Sequence, residues 1–303
     1  MQRTNVIRLL LMPIAFALSA TMASAQKPAS VFIVAGQSNA EGRASTKECP
    51  HYLTKGYKHL KYAFVRTEQN GRFGHFSLGK TFAFCDVVNH FIDQKATTDF
   101  YVVKCTFGGT AITPGQTEAG KPIWYADSTW LAQNKPHNST NEGMSLALSL
   151  TQGFEKCAEK TLSKLKEGYD VKAVLWHQGE SDRSKPQQYY DNFKQLINFV
   201  RKEVYAVTGK EKDKRLPFII GTVPRASRQY NPMIEEAQRK LGKELPNVHV
   251  VDLSDVSLQA DVLHFDGKGT EVVDKRMLEK LVELGLADAS ADATPNTKAC
   301  EAR

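Results

Sequence analysis

Residues 31–42 read Val-Phe-Ile-Val-Ala-Gly-Gln-Ser-Asn-Ala-Glu-Gly. The first five are apolar without a break and rich in β-branched side chains. That is the pattern of a strand buried on both faces, not of one with a wet side. Gly36 then permits a sharp turn, and Ser38 sits at the strand's exit. A Ser at that place is either a helix cap or a nucleophile beside free backbone N–H groups.

Four further runs share the apolar pattern, at residues 100–106, 171–176, 218–222 and 248–253. Segments with helical spacing lie between them, at 80–92, 144–165, 189–207, 234–241 and 270–284. Strands alternating with helices predict an α/β fold, a three-layer α/β/α sandwich on a central, mainly parallel, five-stranded sheet. Binding sites in such folds form beyond the carboxyl ends of the strands. Two long polar stretches, 43–78 and 113–141, leave those ends, and loops of that length are usually functional.

The chain has 303 residues. Residues 1–25 have Arg3 and Arg8 before a short apolar core, then Ala23-Ser24-Ala25. This reads as a signal peptide and predicts a secreted or periplasmic protein. The remaining length suits one domain, expected over residues 26–286, and the Ala- and Asp-rich tail 287–303 is expected to be disordered. Formal charge is +7, and losing Arg3 and Arg8 leaves +5. The basic residues between 202 and 215 alternate with acids, which argues against a nucleic-acid partner. No run after residue 25 is long enough for membrane insertion. The five cysteines, Cys49, Cys85, Cys105, Cys157 and Cys300, have no zinc-type spacing, and no metal or other cofactor is expected. Cys85 and Cys105 lie in apolar runs, which leaves Cys49 and Cys157 as the better bridge candidates.

Chemistry concentrates in four blocks. Ser38 supplies a hydroxyl, and His264 is a base for it. Asp261, three residues before His264, can fix the imidazole tautomer on one side of a turn. Asp255 and Asp266 are rivals for that role, and Ser181 is a rival nucleophile. Gly108, Gly109 and the Gln178 amide follow two of the predicted strands and offer donors for an oxyanion. His177 reads as a core or supporting histidine. The aromatics of the long loops, Tyr52, Tyr57, Trp124, Tyr125 and Trp130, are candidates for stacking on a sugar ring.

Gly36-Gln37-Ser38-Asn39, Gly108-Gly109-Thr110, Trp176-His177-Gln178-Gly179-Glu180-Ser181-Asp182 and Asp261-Val262-Leu263-His264, in this order, resemble the SGNH hydrolase superfamily. More narrowly they are similar to the sialate O-acetylesterase-like group, which includes acetylxylan esterases of carbohydrate esterase family 6. The likeness spans roughly residues 31–286. It implies a flavodoxin-like fold, with Ser38 as nucleophile, His264 as base and Asp261 as its partner. It implies an oxyanion hole of Ser38, Gly108 and Gln178, with Gly108 preferred over Gly109. Gln37, Asn39, Gly109, Glu180, Trp124 and Trp130 are expected around the reacting centre or against substrate. The resemblance gives Glu180 no derivable task, and orienting Gln178 or a loop is the expectation. The expected partner is an acetylated oligo- or polysaccharide. Acetylated xylan stands first and O-acetylated sialic acid second, the latter because Arg43 follows the nucleophile block. A short-chain lipase or thioesterase on the same fold, and a non-catalytic carbohydrate-binding protein, are the competing readings.

Overall fold

The computed structural model describes residues 27–66, 70–117, 120–137 and 143–288. The expected signal peptide, the tail beyond residue 288 and Cys300 lie outside the described residues. Nine strands form: β1 (Ala29–Gly36), β2 (Ala44–Ser45), β3 (Leu60–Phe64), β4 (Gly74–His75), β5 (Thr81–Phe82), β6 (Phe100–Thr106), β7 (Tyr169–His177), β8 (Phe218–Gly221) and β9 (Val248–Val251). The seven α-helices are α1 (Ser38–Glu41), α2 (Asp86–Lys95), α3 (Ser128–Ala132), α4 (Leu146–Lys160), α5 (Tyr189–Thr208), α6 (Pro232–Glu244) and α7 (Gly267–Glu283).

The main sheet runs β4-β3-β6-β1-β7-β8-β9. Every pairing in it is parallel except that of β3 with β4. The sheet therefore has seven strands, not the five expected. The two added strands lie inside the stretch 43–78, which the sequence pattern assigns to a loop. Leu60–Phe64 is interrupted by the consecutive Lys61 and Tyr62 and pairs near the sheet margin, so it lacks the unbroken apolar run of a central strand. β2 and β5 form a separate two-stranded ribbon.

The five predicted strands alone run second, first, third, fourth, fifth across the sheet. This is the flavodoxin-like order, whose binding crevice lies between the first and third. Here that crevice is at the carboxyl ends of β1 and β7. Alternate residues of the central strands feed two separate cores. Val31, Ile33, Val174 and Trp176 pack with Phe154, Phe193 and Leu241 from α4, α5 and α6. Phe32, Val34, Ala173 and Leu175 pack with Val88, Met277 and Leu281 from α2 and α7. Each fully buried Phe or Leu contributes roughly 1.5–3 kcal/mol by leaving water.

The second core holds two carboxylates. Asp274 on α7 accepts from the N–H groups of Cys85 (2.8 Å) and Val87 (2.9 Å), which pins the start of α2 to α7. Asp86 accepts from Ala83 N–H at 2.7 Å. Burial pushes the Asp86 carboxyl up to about 6, against the pull of Lys104 and of the Ala83 N–H. Burial also drives Asp274 well above the ordinary carboxylate range, and the Asp86 charge adds to that rise.

A carboxyl whose folded pKa exceeds its unfolded value holds protons in the fold that the unfolded chain has released. Its stability contribution is present at low pH and is lost as pH rises through the folded pKa. The protein should therefore melt a few degrees lower at pH 8 than at pH 5. Asp86→Asn keeps the acceptor for Ala83 and should shrink that difference, read by thermal unfolding at the two pH values. An unchanged difference would remove Asp86 from the account.

Candidate active site

Gly36 ends β1 with φ at +141°, and a Cβ there would lie 2.0 Å from the His177 carbonyl oxygen. Only glycine fits that approach of β1 to β7. The chain then turns into α1, where Gly42 N–H donates to Ser38 O and Lys104 Nζ from β6 donates to Glu41 O. Ser38 is thereby held at the sheet edge, at the base of a pocket.

The Ser38 hydroxyl lies 3.0 Å from His264 Nε2, and His264 Nδ1 lies 2.6 Å from Asp261 Oδ2. A carboxylate can only accept, so Nδ1 carries the ring proton and Nε2 is bare toward the hydroxyl. Asp261 Oδ1 also accepts the backbone N–H groups of Leu263 and His264, both at 3.0 Å. Partial burial pulls the Asp261 carboxyl up, but these bonds and the imidazole outweigh it and hold it below the ordinary range. The turn between them needs Val262 at φ +52°, a left-handed conformation that strains a β-branched residue.

The rivals are engaged elsewhere. Asp255 makes a two-pronged pair with Arg276, and Asp266 caps α7 by accepting from Gly269 N–H. Ser181 lines the same pocket as Ser38, and His264 Nε2 is bonded to Ser38.

The expected oxyanion donors fare differently. Gln178 is fully buried, and its Nε2 donates to Asp182 Oδ2 (2.6 Å) and Thr110 O (3.2 Å). It braces the loop after β6 and does not open toward Ser38, which corrects its expected role. Gly108 does lie against Ser38, since a Cβ there would come within 3.3 Å of the Ser38 Cβ. Its N–H, however, is given to Glu41 Oε2 at 3.0 Å, and the same carboxylate oxygen takes Arg43 at 2.7 Å. Gly109 follows with φ +74° and lines the pocket.

Glu180 lies one contact away from its expected partners. Its Oε1 accepts from Asn39 Nδ2 (2.8 Å) and faces His177 Nε2 (3.1 Å), so it does not bond the Gln178 side chain and meets the 261–265 turn only through Asn39. Burial raises its pKa, but His177 and Asn39 prevail and keep it below the ordinary range. Asp182 performs the loop bracing, accepting from the N–H groups of Ile112 (2.9 Å) and Thr113 (2.8 Å).

The aromatic candidates are mostly structural. Trp124 is fully buried and meets Trp176 edge to face, so it is closed to a sugar. Trp130 packs against Tyr125 and the first core. Tyr52 donates to Glu271 and Tyr57 to Asp86 O, both packed on the second core. The pocket beside Ser38 is lined instead by Gln37, Arg43, Lys121, Arg183, Gln229 and His264, among others. Lys121 and Arg183 escaped the sequence reading because nothing in their spacing marks them. Among the described residues no cluster of metal-ligating side chains occurs, and no helix is long and apolar enough to cross a membrane. Cys49, Cys85, Cys105 and Cys157 are all unbridged, so neither bridge candidate, Cys49 or Cys157, is joined to another described cysteine.

The family model described as "Carbohydrate esterase, sialic acid-specific acetylesterase" matches residues 28–283. A probable carbohydrate esterase of Arabidopsis thaliana is 32% identical over 141 residues, 46% of this chain and 46% of that protein. The chain thus aligns with about half of that curated relative's length. An X-ray structure of an Arabidopsis thaliana protein is 21% identical with a TM-score of 0.59, covering 85% of this chain and 98% of that one. The crystal structure of NanS is 17% identical with a TM-score of 0.58, covering 86% of this chain and 99% of that one. At these identities the structural likeness establishes the fold.

Gln178→Ala should lower stability by about 1–3 kcal/mol, because Asp182 and Thr110 lose a buried donor. Its kcat per folded molecule should fall less than about tenfold. A loss of about 10²–10³, as for a true oxyanion donor, would return Gln178 to that role.

Proposed function

Because this chain belongs to the carbohydrate esterase family described as sialic acid-specific acetylesterase, we propose that it releases acetate from an O-acetylated acidic sugar through an acetyl-Ser38 intermediate. The observation that carries the reading is the continuous contact Ser38 Oγ, His264 Nε2, His264 Nδ1, Asp261 Oδ2, at 3.0 and 2.6 Å.

In the first step Ser38 Oγ attacks the acetyl carbonyl while His264 Nε2 takes its proton. Asp261 stabilises the imidazolium without taking a proton. The tetrahedral oxyanion is met by backbone N–H groups at the start of α1 and in the 108–109 turn, with Ser38's own the nearest in sequence. For Gly108 to contribute, Glu41 must release its N–H. Collapse of the intermediate expels the sugar hydroxyl, protonated by His264. Water then attacks the acetyl ester, losing its proton to the same nitrogen, and His264 returns that proton to Ser38 Oγ as the acyl bond breaks and acetate departs.

The pocket lining supports placing sialic acid ahead of xylan, the reverse of the order expected from sequence. Arg43, Lys121 and Arg183 line it, with amides of Gln37, Gln116 and Gln229; no carboxylate is among the described lining residues, although Glu41 pairs with Arg43 at 2.7 Å. A cleft of one sign raises the local concentration of an oppositely charged substrate. A neutral xylan gains nothing from this basic lining, whereas a sugar carboxylate does. Export from the cytoplasm, proposed from residues 1–25, would bring the enzyme to such glycans, with residues 26–286 as its domain.

Ser38→Ala should abolish acetate release while leaving the melting temperature within a few degrees. Acetate release should favour O-acetylated sialic acid over acetylated xylan by about tenfold in kcat/KM. Arg183→Ala should raise KM for the sialate while barely changing turnover of 4-nitrophenyl acetate. Faster turnover of acetylated xylan would restore the neutral-glycan reading, and strong preference for an octanoyl over an acetyl ester would favour a lipase.

A further inference from the structure

The hydroxyl and imidazole of this site come from opposite ends of the chain, and the Asp261 side chain explains only the tautomer. It does not explain what holds the 261–265 turn against α1. Asn39, next to Ser38, makes the connection. Its Oδ1 accepts from Phe265 N–H at 3.0 Å and its Nδ2 donates to Leu263 O at 3.2 Å. The two contacts fall on the residues immediately before and after His264. One amide thus grips the backbone on both sides of the base.

The amide is itself oriented. Asn39 Nδ2 also donates to Glu180 Oε1 at 2.8 Å, and that oxygen faces His177 Nε2 at 3.1 Å. Asn39, Glu180 and His177 are all buried, so each contact is shielded from competing water. Glu180 can only accept while ionised, so it dictates which end of the Asn39 amide carries the N–H groups. The other end is then left to receive Phe265 N–H. His177 closes β7 and stacks obliquely on Phe265, which ties the same assembly to the sheet.

We propose that Asn39 is a positioning residue that sets His264 within reach of Ser38, and that Glu180, anchored on His177, acts through Asn39 by fixing its amide. The idea rests on the acetyl-Ser38 reading above. Neither residue touches the reacting atoms, and both govern the 3.0 Å contact between hydroxyl and imidazole. A misplacement of about 1 Å in such a contact can cost 10²-fold in rate.

The test uses the full mature chain with 4-nitrophenyl acetate, measuring kcat and KM separately beside thermal unfolding. Asn39→Ala should lower kcat by about 10²-fold with KM changed less than about threefold. Glu180→Gln should lower kcat by about tenfold. If Glu180 works through Asn39, the double variant is no slower than Asn39→Ala alone, because the coupled effects do not add. Additive losses would overturn the proposal, as would a change confined to KM or to melting temperature.

Should Asn39→Ala fail to fold, the isosteric Asn39→Asp serves. Alone it sets two carboxylates against each other and should lose activity. Combined with Glu180→Gln, donor and acceptor are exchanged across the 2.8 Å contact, and kcat should recover about tenfold over the single variant. No recovery would defeat the idea. Full activity in Ser38→Ala would instead defeat the acetyl-Ser38 reading itself, so the two failures are told apart.

Discussion

Ser38 and His264 lie 226 residues apart in sequence and 3.0 Å apart in space. The proposed chemistry depends on that contact being held closed. The sheet does part of the work, since parallel strands deliver their carboxyl ends to one edge. β1 delivers Ser38, β6 the glycine turn, β7 the His177–Asp182 segment and β9 the loop that returns to His264. A sheet edge aligns chain segments to within several ångströms. Closing the last ångström falls to buried polar groups, which are costly to leave unpaired and therefore directional.

The segment after β7 acts as the junction for those groups. Glu180 reaches α1 through Asn39, Asp182 holds the backbone of Ile112 and Thr113, and Gln178 reaches Thr110. A motif of five polar residues in seven is an odd sequel to an apolar strand. It makes sense as a hub into which two other segments plug. Its residues are mostly hidden from substrate, which separates two reasons for a polar residue to sit near a site: meeting the ligand, and holding up what does.

The reading of sequence against structure follows that division. The five predicted strands were legible because each is near-continuously apolar, the mark of a strand covered on both faces, even though β9 ends the sheet and carries His249. β3 and β4 were not, because a marginal strand carries Lys61 and Tyr62 and resembles the polar loop around it. The meeting of Ser38, His264 and Asp261 was legible because a hydroxyl, an imidazole and a carboxylate in such motifs are chemically distinctive. The direction in which Gln178 points was not, since an amide after a strand can face inward or outward and no spacing rule chooses. Trp124 failed for the same reason: an aromatic in a polar loop can fold back into the core, and this one meets Trp176 there. Lys121 and Arg183 come from loops whose path the sequence leaves open, so the cationic character of the pocket emerged only from coordinates.

Val262 gives the site an asymmetry in time as well as space. The turn that presents His264 keeps a β-branched residue in a left-handed conformation, a strain of order 1–3 kcal/mol, while that residue is 46% exposed. Strained, exposed segments open more readily than the packed core around them. The base should then drift from the nucleophile during brief excursions in which the sheet and both cores are still intact. Catalysis would fail on warming before the molecule melts, and would return on cooling without any refolding of the domain.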